Sequence, residues 1–174
     1  MTEKKEKILS HALQLFAENG FNATSTSKIA KLAGVSEGLI FRHFSNKEGL
    51  LLAIMELGNE KAADLFSVIH ASDDPKSQLK AVLSIPFEIE PTEYAFWKLM
   101  YSLKWQAKEY DASMSSELKK VITNIFKKLN YKNSEEEAEL LLMLFDGIAS
   151  SILLKKVENS EKLKNMILKK YQLL

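Results

Sequence analysis

The sequence of 174 residues contains no cysteine, only 6 glycines and 3 prolines, and no long uninterrupted apolar segment. The lack of cysteine excludes disulfide bonds, thiolate metal sites and cysteine nucleophiles. So few glycines and prolines favour helices over a β-sandwich or barrel with many tight turns. The most apolar segment, residues 138–154, is interrupted by Asp146, Ser150 and Ser151. It therefore falls short of the roughly 20 apolar residues that a membrane span needs, and no membrane association is expected.

A strong charge of either sign and the usual signatures of catalysis are also missing. The net charge of +1 argues neither for nor against a nucleic-acid partner. His11, His43 and His70 show no metal-ligand spacing, and we find neither a phosphate-cradling glycine loop nor a nucleophile motif. We therefore expect no enzyme activity, no cofactor and no metal. The charged segment MTEKKEKIL does not resemble a signal peptide, so we expect a cytoplasmic protein.

Apolar residues recur at helical spacing along the chain, without strand-like alternation, internal repeats or low-complexity linkers. The pattern predicts an all-α protein of about nine helices. A long helix is expected to begin near Asn46, since Ser45 and Glu48 resemble a capping box. We place the domain boundary at the start of this helix. Residues 1–48 are predicted to form one domain and residues 49–174 a second one.

Residues 24–51, with the sequence TSTSKIAKLAGVSEGLIFRHFSNKEGLL, predict two short helices joined by a tight turn. The helices are expected at about 27–33 and about 37–44. Gly34 stands where the turn needs a residue that tolerates positive φ. The apolar residues are spaced to form one shared core: Ile29, Leu32, Ala33, Val35, Ile40 and Phe44. The polar face of the second helix remains free and carries Arg42 and His43. This arrangement predicts a helix-turn-helix, whose second helix enters the DNA major groove.

The segment FAENGFNATSTSKIAKLAGVSEGLIFRHFSNKEGLL closely resembles the DNA-binding region of the TetR family of bacterial transcriptional regulators. The residues that carry the resemblance are Phe16, Gly20, Phe21, Thr26, Ile29, Ala30, Gly34, Val35, Ser36, Phe44, Lys47, Glu48, Leu50 and Leu51. It covers about the first 50 residues; further along, only the number and length of the helices agree. The resemblance implies a homodimer that binds double-stranded DNA at a pseudo-palindromic operator. It also implies a repressor that a small-molecule effector releases.

Several residues of this segment have the chemistry that DNA binding requires. Hydroxyl and backbone N–H groups at helix N-termini bind phosphates, and Lys47 lies in a first helical turn, where a cation is unfavourable unless an anion is near. Arg42 can pair with guanine or hold a phosphate, and His43 can contact a phosphate or have a capping or packing role. The candidate DNA contacts are Thr24, Ser25, Thr26, Ser36, Glu37, Gly38, Leu39, Phe41, Arg42, His43 and Lys47.

Three of these residues depart from the family pattern. Glu37 stands where a basic or polar residue is frequent, and its carboxylate opposes phosphate binding unless it accepts from a cytosine amino group. Leu39 replaces a small hydroxyl residue and could instead meet a thymine methyl group. Phe41 replaces a tyrosine and lacks its hydroxyl. These departures leave an alternative open, a helical small-molecule- or partner-binding protein with a decayed DNA-binding module.

The resemblance implies that residues 49–174 bind an effector and form the dimer. Residues 138–154 are apolar nearly all round, which indicates burial on several sides. In the family that the chain resembles, the last two long helices form the dimer interface. The resemblance thus implies a homodimer interface at the helices expected at 135–158 and 160–171, the alternative being a monomer with a buried central helix. Aromatic and Met side chains could line a pocket for an apolar or aromatic small molecule, or be plain core. These candidates are Phe66, Phe87, Phe96, Trp97, Met100, Tyr101, Trp105, Phe126 and Met143.

Overall fold

The computed structural model describes residues 2–106 and 113–174, except for the side chains of residues 59, 60, 62, 65, 105, 106, 113 and 114. In these residues the chain is all-α, as predicted, with short 3-10 turns at Ile85–Phe87 and Pro91–Glu93. The α-helices are α1 (Glu3–Asn19), α2 (Thr26–Ala33), α3 (Glu37–Phe44), α4 (Lys47–His70), α5 (Pro75–Ser84), α6 (Tyr94–Gln106), α7 (Ser113–Lys128), α8 (Ser134–Leu153) and α9 (Ser160–Lys170). None of the described helices is both long enough and apolar enough to span a membrane.

The described residues pack as two units. The first contains residues 2–61 and 91–106, and the second contains residues 62–90 and 113–174. Helix α4 therefore begins in the first unit and ends in the second. These packing units do not coincide with the predicted boundary at residue 48. The assignment of DNA binding to residues 1–48 and of effector binding and dimerisation to residues 49–174 stays a prediction.

The core of the first unit joins the first four helices and α6. Ile8, Ile29 and Ile40 have no exposed surface, and neither do Leu50 and Leu99. Helix α1 packs against both α2 and α6, so its buried face holds the unit together.

The structure corrects the predicted shared core of the helix-turn-helix at one residue, because Leu32 is 52% exposed. Helix α2 has only two turns. Its buried face is already occupied by Ile29, Ala30 and Ala33, which leaves Leu32 pointing outward.

The second unit packs α5, α7, α8 and α9 around fully buried residues such as Leu79, Ile122 and Phe126. Helix α8 ends at Leu153, five residues earlier than predicted. Lys155 has φ 55°, and the N–H groups of Lys155 and Lys156 donate to the carbonyls of Ile152 and Ser151. A left-handed residue with returning hydrogen bonds terminates a helix in this way.

Helix α5 of the same unit has a proline in its first turn and Asp74 as its N-cap. The Asp74 carboxylate accepts hydrogen bonds from the hydroxyl and the backbone N–H of Ser77, at 2.7 and 2.9 Å. These bonds hold the pKa of Asp74 below its usual value.

Gly20 terminates α1 in a conformation that side-chain-bearing residues rarely adopt, with φ 84° and ψ 154°. We expect Gly20→Ala to lower the free energy of unfolding by about 1–3 kcal/mol, because of backbone strain alone. A Cβ at Gly20 would meet no atom within 4 Å. Thermal unfolding followed by circular dichroism measures the effect.

Gly38 provides the matched control for this prediction, since its Cβ would also meet no atom within 4 Å and it lies inside α3. Gly38→Ala should raise stability by about 0.5–1 kcal/mol, because alanine is the better helix former. If Gly20→Ala unfolds at the wild-type temperature, the strain argument is wrong.

Candidate functional site

The turn between α2 and α3 has the predicted form. Gly34 adopts the left-handed conformation with φ 66° and ψ 35°, and its N–H donates to the carbonyls of Ala30 and Lys31. The N–H of Val35 donates to the Ala30 carbonyl at 3.0 Å. These bonds satisfy the last carbonyls of α2 and direct the chain into α3, which spans the predicted residues Glu37–Phe44.

Helix α3 buries one face and exposes the other. Ile40 and Phe44 lie in the core of the first unit, and Leu39 packs partly against it, so Leu39 is less available to DNA than predicted. Phe41 is 44% exposed. Arg42 is exposed and makes no hydrogen bond or ion pair with any described residue. Its guanidinium is thus available to an external acceptor.

Two further candidates on α3 are His43, whose side chain is half-buried, and Gly38. The ring of His43 lies 6.1 Å from that of Phe44 in an edge-on arrangement, which supports its packing role. Gly38 is exposed, and with no side chain it lets an outside molecule approach the first turn of the helix.

Two exposed serines stand at the N-termini of α2 and α3. The Ser25 Oγ accepts a hydrogen bond from the Lys28 N–H at 3.2 Å, which leaves its hydroxyl hydrogen for another acceptor. Ser36 precedes α3 and makes no side-chain cap bond. Both positions combine a hydroxyl with the N–H groups of a helix start, a combination that suits phosphate oxygens.

The structure corrects the prediction that Thr24 contacts a phosphate. Its side chain is buried, with 2% of its surface exposed. The carbonyls of Gly20 and Leu15 share the single hydroxyl hydrogen, with their oxygens 2.9 and 3.3 Å from Oγ1, and the Thr24 N–H donates to the Phe21 carbonyl. Because both of its donors are used internally, Thr24 instead stabilises the turn between α1 and α2.

Thr26 and Glu37 form a hydrogen bond between their side chains that spacing along the sequence does not predict. The Thr26 hydroxyl donates to Glu37 Oε1 at 2.5 Å, between the first residues of α2 and α3. A hydroxyl has a single hydrogen, so this bond withholds it from a phosphate. No local signal in the sequence joins two polar residues on separate helices.

Helix α4 starts one residue later than the capping-box pattern predicted. Asn46 is the N-cap, because its Oδ1 accepts a hydrogen bond from the Gly49 N–H at 2.6 Å. Ser45 instead ends α3, with φ 67° and its N–H bonded to the Phe41 carbonyl. Lys47 is therefore the first residue of α4.

The ammonium of Lys47 is directed at the turn between α1 and α2. Its Nζ donates to the carbonyls of Phe21 and Thr24 at 3.0 and 3.2 Å, and lies 4.4 Å from the centroid of the Phe21 ring. These contacts were not foreseen, because the residues concerned are more than twenty positions apart.

The predicted effector contacts are distributed over both units. Phe96, Trp97, Met100 and Tyr101 belong to the first unit. Phe66, Phe87, Phe126 and Met143 belong to the second, while the side chain of Trp105 lies outside the described residues. An open, polar cavity of about 510 Å³ is lined by residues of the segment 127–136 and contains none of the candidates.

Four of the aromatic and Met candidates differ in how deeply they are buried. Phe96 and Phe126 are buried core residues of the first and second unit, with 3% and 0% of their surface exposed. Met143 is 63% exposed, so it lies on the surface of α8 and does not line an enclosed pocket of this unit. Trp97 is half-buried, and its indole Nε1 is fully buried without a hydrogen-bond acceptor among the described residues.

The second unit exposes apolar side chains on its last two helices. Leu140 and Met143 on α8 are 49% and 63% exposed, and Leu163 and Met166 on α9 are 43% and 60% exposed. Residues three apart on a helix share a face, so each pair forms a short apolar stripe. We call these four residues the α8–α9 apolar face. Gly147 continues the α8 stripe, and a Cβ there would meet no atom within 4 Å.

This geometry defines a helix-turn-helix protein whose second helix presents an arginine that has no partner among the described residues. Residues 8–54 match the family model described as bacterial regulatory proteins, tetR family. The uncharacterized HTH-type transcriptional regulator YerO of Bacillus subtilis is 37% identical over 91 residues, which are 51% of this chain and 32% of YerO. The N-terminal part of the chain is therefore similar to the bacterial regulatory proteins of the TetR family.

Solved structures of other proteins have a similar fold over nearly the whole length of this chain. A TetR-like transcriptional regulator from Rhodococcus sp. RHA1 has a TM-score of 0.81 at 17% identity, over 97% of this chain and 96% of the other. The regulator FadR of Bacillus subtilis, solved in complex with stearoyl-CoA, has a TM-score of 0.67 at 20% identity, over 94% and 95%. In contrast, the chain covers less than half the length of curated relatives such as YerO.

Proposed function

We propose that this protein is a dimeric, sequence-specific DNA-binding regulator of transcription, and a repressor that a small-molecule effector releases. In this proposal it acts in the cytoplasm and is not an enzyme. The observation that carries the proposal is Arg42 on α3, which is exposed and makes no hydrogen bond or ion pair within the part of the chain that the structure describes. Because Gly34 sets the turn and Ile40 anchors the inner face, α3 presents this arginine from a rigid helix.

In the proposed complex α3 enters the major groove, and Arg42 contacts a guanine edge or a phosphate. The hydroxyls of Ser25 and Ser36, together with the N-termini of α2 and α3, hold phosphates on either side. His43 packs edge-on against Phe44 and also contacts a phosphate. Phe41 contributes apolar contact with the bases or sugars.

The proposed dimer forms through the α8–α9 apolar face. The face consists of exposed apolar stripes on two helices that are consecutive in the chain, and exposed apolar surface is typical of interaction sites. Gly147 extends the surface of α8 and allows a second helix to approach closely. A two-fold axis at this face would pair identical surfaces and would match a pseudo-palindromic operator.

The proposed effector is an apolar or aromatic small molecule that also carries a hydrogen-bond acceptor. The buried Trp97 N–H supports this, because an unsatisfied buried donor costs about 1–3 kcal/mol and a ligand acceptor would remove that cost. FadR of Bacillus subtilis binds an acyl-CoA on the same fold. Release from DNA requires only that the effector binds the released state more tightly than the DNA-bound state.

Selection against a random duplex library at about 150 mM salt tests the proposal, since non-specific phosphate binding is weak under this condition. Enrichment of a two-fold-symmetric site is the expected result. Mass spectrometry of the same preparation shows whether an effector has co-purified. Failure to enrich any site with effector-free protein would count against the proposed function.

One observation favours the alternative of a small-molecule- or partner-binding protein with a decayed DNA-binding module. The bond between Thr26 and Glu37 occupies a hydroxyl at the N-terminus of α2 and places a carboxylate at the start of α3. Both effects weaken the attraction of phosphates.

The Glu37→Gln variant separates these two functions. Glutamine keeps an oxygen that can accept from Thr26 but removes the charge, so affinity for any duplex should rise by about 1 kcal/mol, or roughly fivefold. Fluorescence anisotropy with the selected operator and a scrambled duplex measures the change. Glu56→Gln, which alters an exposed acid on α4, should change neither affinity.

The two duplexes report different roles of Glu37. If its carboxylate accepts from a cytosine amino group, Glu37→Gln strengthens binding to the scrambled duplex but weakens binding to the operator. If the DNA-binding module has decayed, wild type binds neither duplex. Unchanged binding to both duplexes would contradict any electrostatic effect of Glu37.

A further inference from the structure

We infer that Lys47 is a positioning residue, which ties the start of α4 to the turn between α1 and α2 and thereby places the phosphate-binding end of α2. This inference differs from the predicted phosphate contact. Its DNA-binding consequences rest on the proposed function, whereas its structural consequence does not.

The contacts of the Lys47 ammonium are the first argument. Its Nζ donates to the carbonyl oxygens of Phe21 and Thr24 at 3.0 and 3.2 Å. A lysine ammonium has three N–H donors, so two of the three are used inside the protein. The Nζ also lies 4.4 Å from the centroid of the Phe21 ring, within the range of a cation–π interaction.

The position of Lys47 in α4 is the second argument. A cation on the first residue of a helix meets the positive end of the helix dipole, which is unfavourable without a nearby anion or dipole. The two carbonyl oxygens supply the negative ends of peptide dipoles at that place. The location of Lys47 is therefore explained without a phosphate.

The turn that Lys47 binds is the third argument. The buried Thr24 hydroxyl stabilises this turn by hydrogen bonding to the carbonyls of Leu15 and Gly20. The Phe21 ring packs edge-on against Phe16, with 5.1 Å between the ring centroids. Ser25, the N-cap of α2, follows directly.

Lys47 thus joins the α2 N-terminus to α4, a helix that continues to His70. A displacement of the start of α4 would be carried to Ser25 and Thr26 through this side chain. In a protein released from DNA by an effector, this link would misplace the phosphate-binding end of α2 as well as α3.

Hydrogen exchange of the full-length Lys47→Met variant without DNA tests the link directly. Methionine retains an apolar stem over Phe21 but has no donors. Amides of residues 21–29 should exchange at least about tenfold faster, because two charge-assisted bonds are lost, while those of residues 8–16 in α1 stay at the wild-type rate. Lys31→Met removes an exposed lysine of α2 and should change neither region. Wild-type exchange at residues 21–29 of Lys47→Met would overturn the inference.

The salt dependence of operator binding distinguishes positioning from phosphate contact. The positioning role predicts that Lys47→Met binds the operator more weakly, by about tenfold, with the same slope of log affinity against log salt as wild type. Loss of a phosphate contact would instead reduce the steepness of that slope by about 0.9. If wild type binds no duplex, the proposed function fails and the exchange experiment still decides the role of Lys47.

Lys47→Arg keeps the inference testable if Lys47→Met does not fold. Arginine preserves the charge, so a pure phosphate contact predicts wild-type affinity and wild-type exchange. The positioning role predicts faster exchange at residues 21–29, because a planar guanidinium does not reproduce the single-atom contact with two carbonyls and a ring. Wild-type exchange in this variant would contradict positioning.

Discussion

The Met143→Glu variant is expected to be monomeric at concentrations where the wild-type protein is a dimer. In the proposed dimer the α8–α9 apolar face is covered by a second copy, and Met143 is its most exposed member, at 63%. The substitution places an unpaired carboxylate in that interface twice, once from each protomer. An uncompensated buried charge costs about 3–5 kcal/mol, so the dissociation constant should rise by at least about 100-fold.

Sedimentation velocity over a range of concentrations measures this change. Leu52→Glu is the matched control, since Leu52 is an apolar residue of α4 that is 60% exposed and lies in the first unit. This control should leave the dimer intact. The proposed interface would be refuted by a wild-type monomer, or by a Met143→Glu dimer of unchanged dissociation constant.

Dimer loss should also weaken operator binding, because a monomer engages only one half-site. Met143 lies in the second unit, on α8, and is not among the candidate DNA contacts. A weaker complex in Met143→Glu would therefore arise through assembly. Binding to a single half-site duplex should be unchanged, which separates assembly from damage to the reading helix.

The Arg42→Ala variant is expected to weaken operator binding by about 1–3 kcal/mol for each half-site. Arg42 is exposed on α3 and uses none of its donors on the described residues, so the substitution removes an external contact without leaving an internal group unpaired. Fluorescence anisotropy with the selected operator measures the loss. Thermal unfolding should be unchanged within about 0.5 kcal/mol, as for other surface substitutions.

Arg42→Lys decides which contact Arg42 makes. A phosphate contact depends mainly on charge, so lysine should restore most of the affinity. A bidentate contact with guanine depends on the planar fork, so lysine should restore little, and the base preference at that position should relax. Wild-type operator affinity in Arg42→Ala would remove Arg42 from the proposed interface.

The helix-turn-helix itself was predictable because its determinants are local. Gly34 was expected at positive φ from the short spacing between two amphipathic segments, and the structure confirms φ 66°. The bounds Glu37–Phe44 of α3 were predicted from the same pattern. The first residue of a helix is harder to predict where two capping residues are adjacent, as with Ser45 and Asn46. Either side chain can accept a hydrogen bond from a backbone N–H of the first turn.

The candidate DNA contacts were predictable as a segment but not as individual side chains. Ser25, Ser36 and Arg42 follow from position on a helix end or an outer face. Thr24 and Lys47 share the residue types of phosphate ligands, yet their donors are used on backbone carbonyls of the turn between α1 and α2. Such contacts join segments distant in sequence, so periodicity and spacing carry no information about them.

By itself, the sequence determined the all-α class, the order of the helices, and a second helix of the helix-turn-helix with an arginine on its outer face. These follow from helical periodicity, glycine conformation and charge on one face, which are all local properties. The tertiary structure decided that Met143 is exposed and Phe126 buried, and that Lys47 binds the turn before α2. The physical reason is that burial and long-range hydrogen bonding depend on which helices pack together, not on the residue types alone.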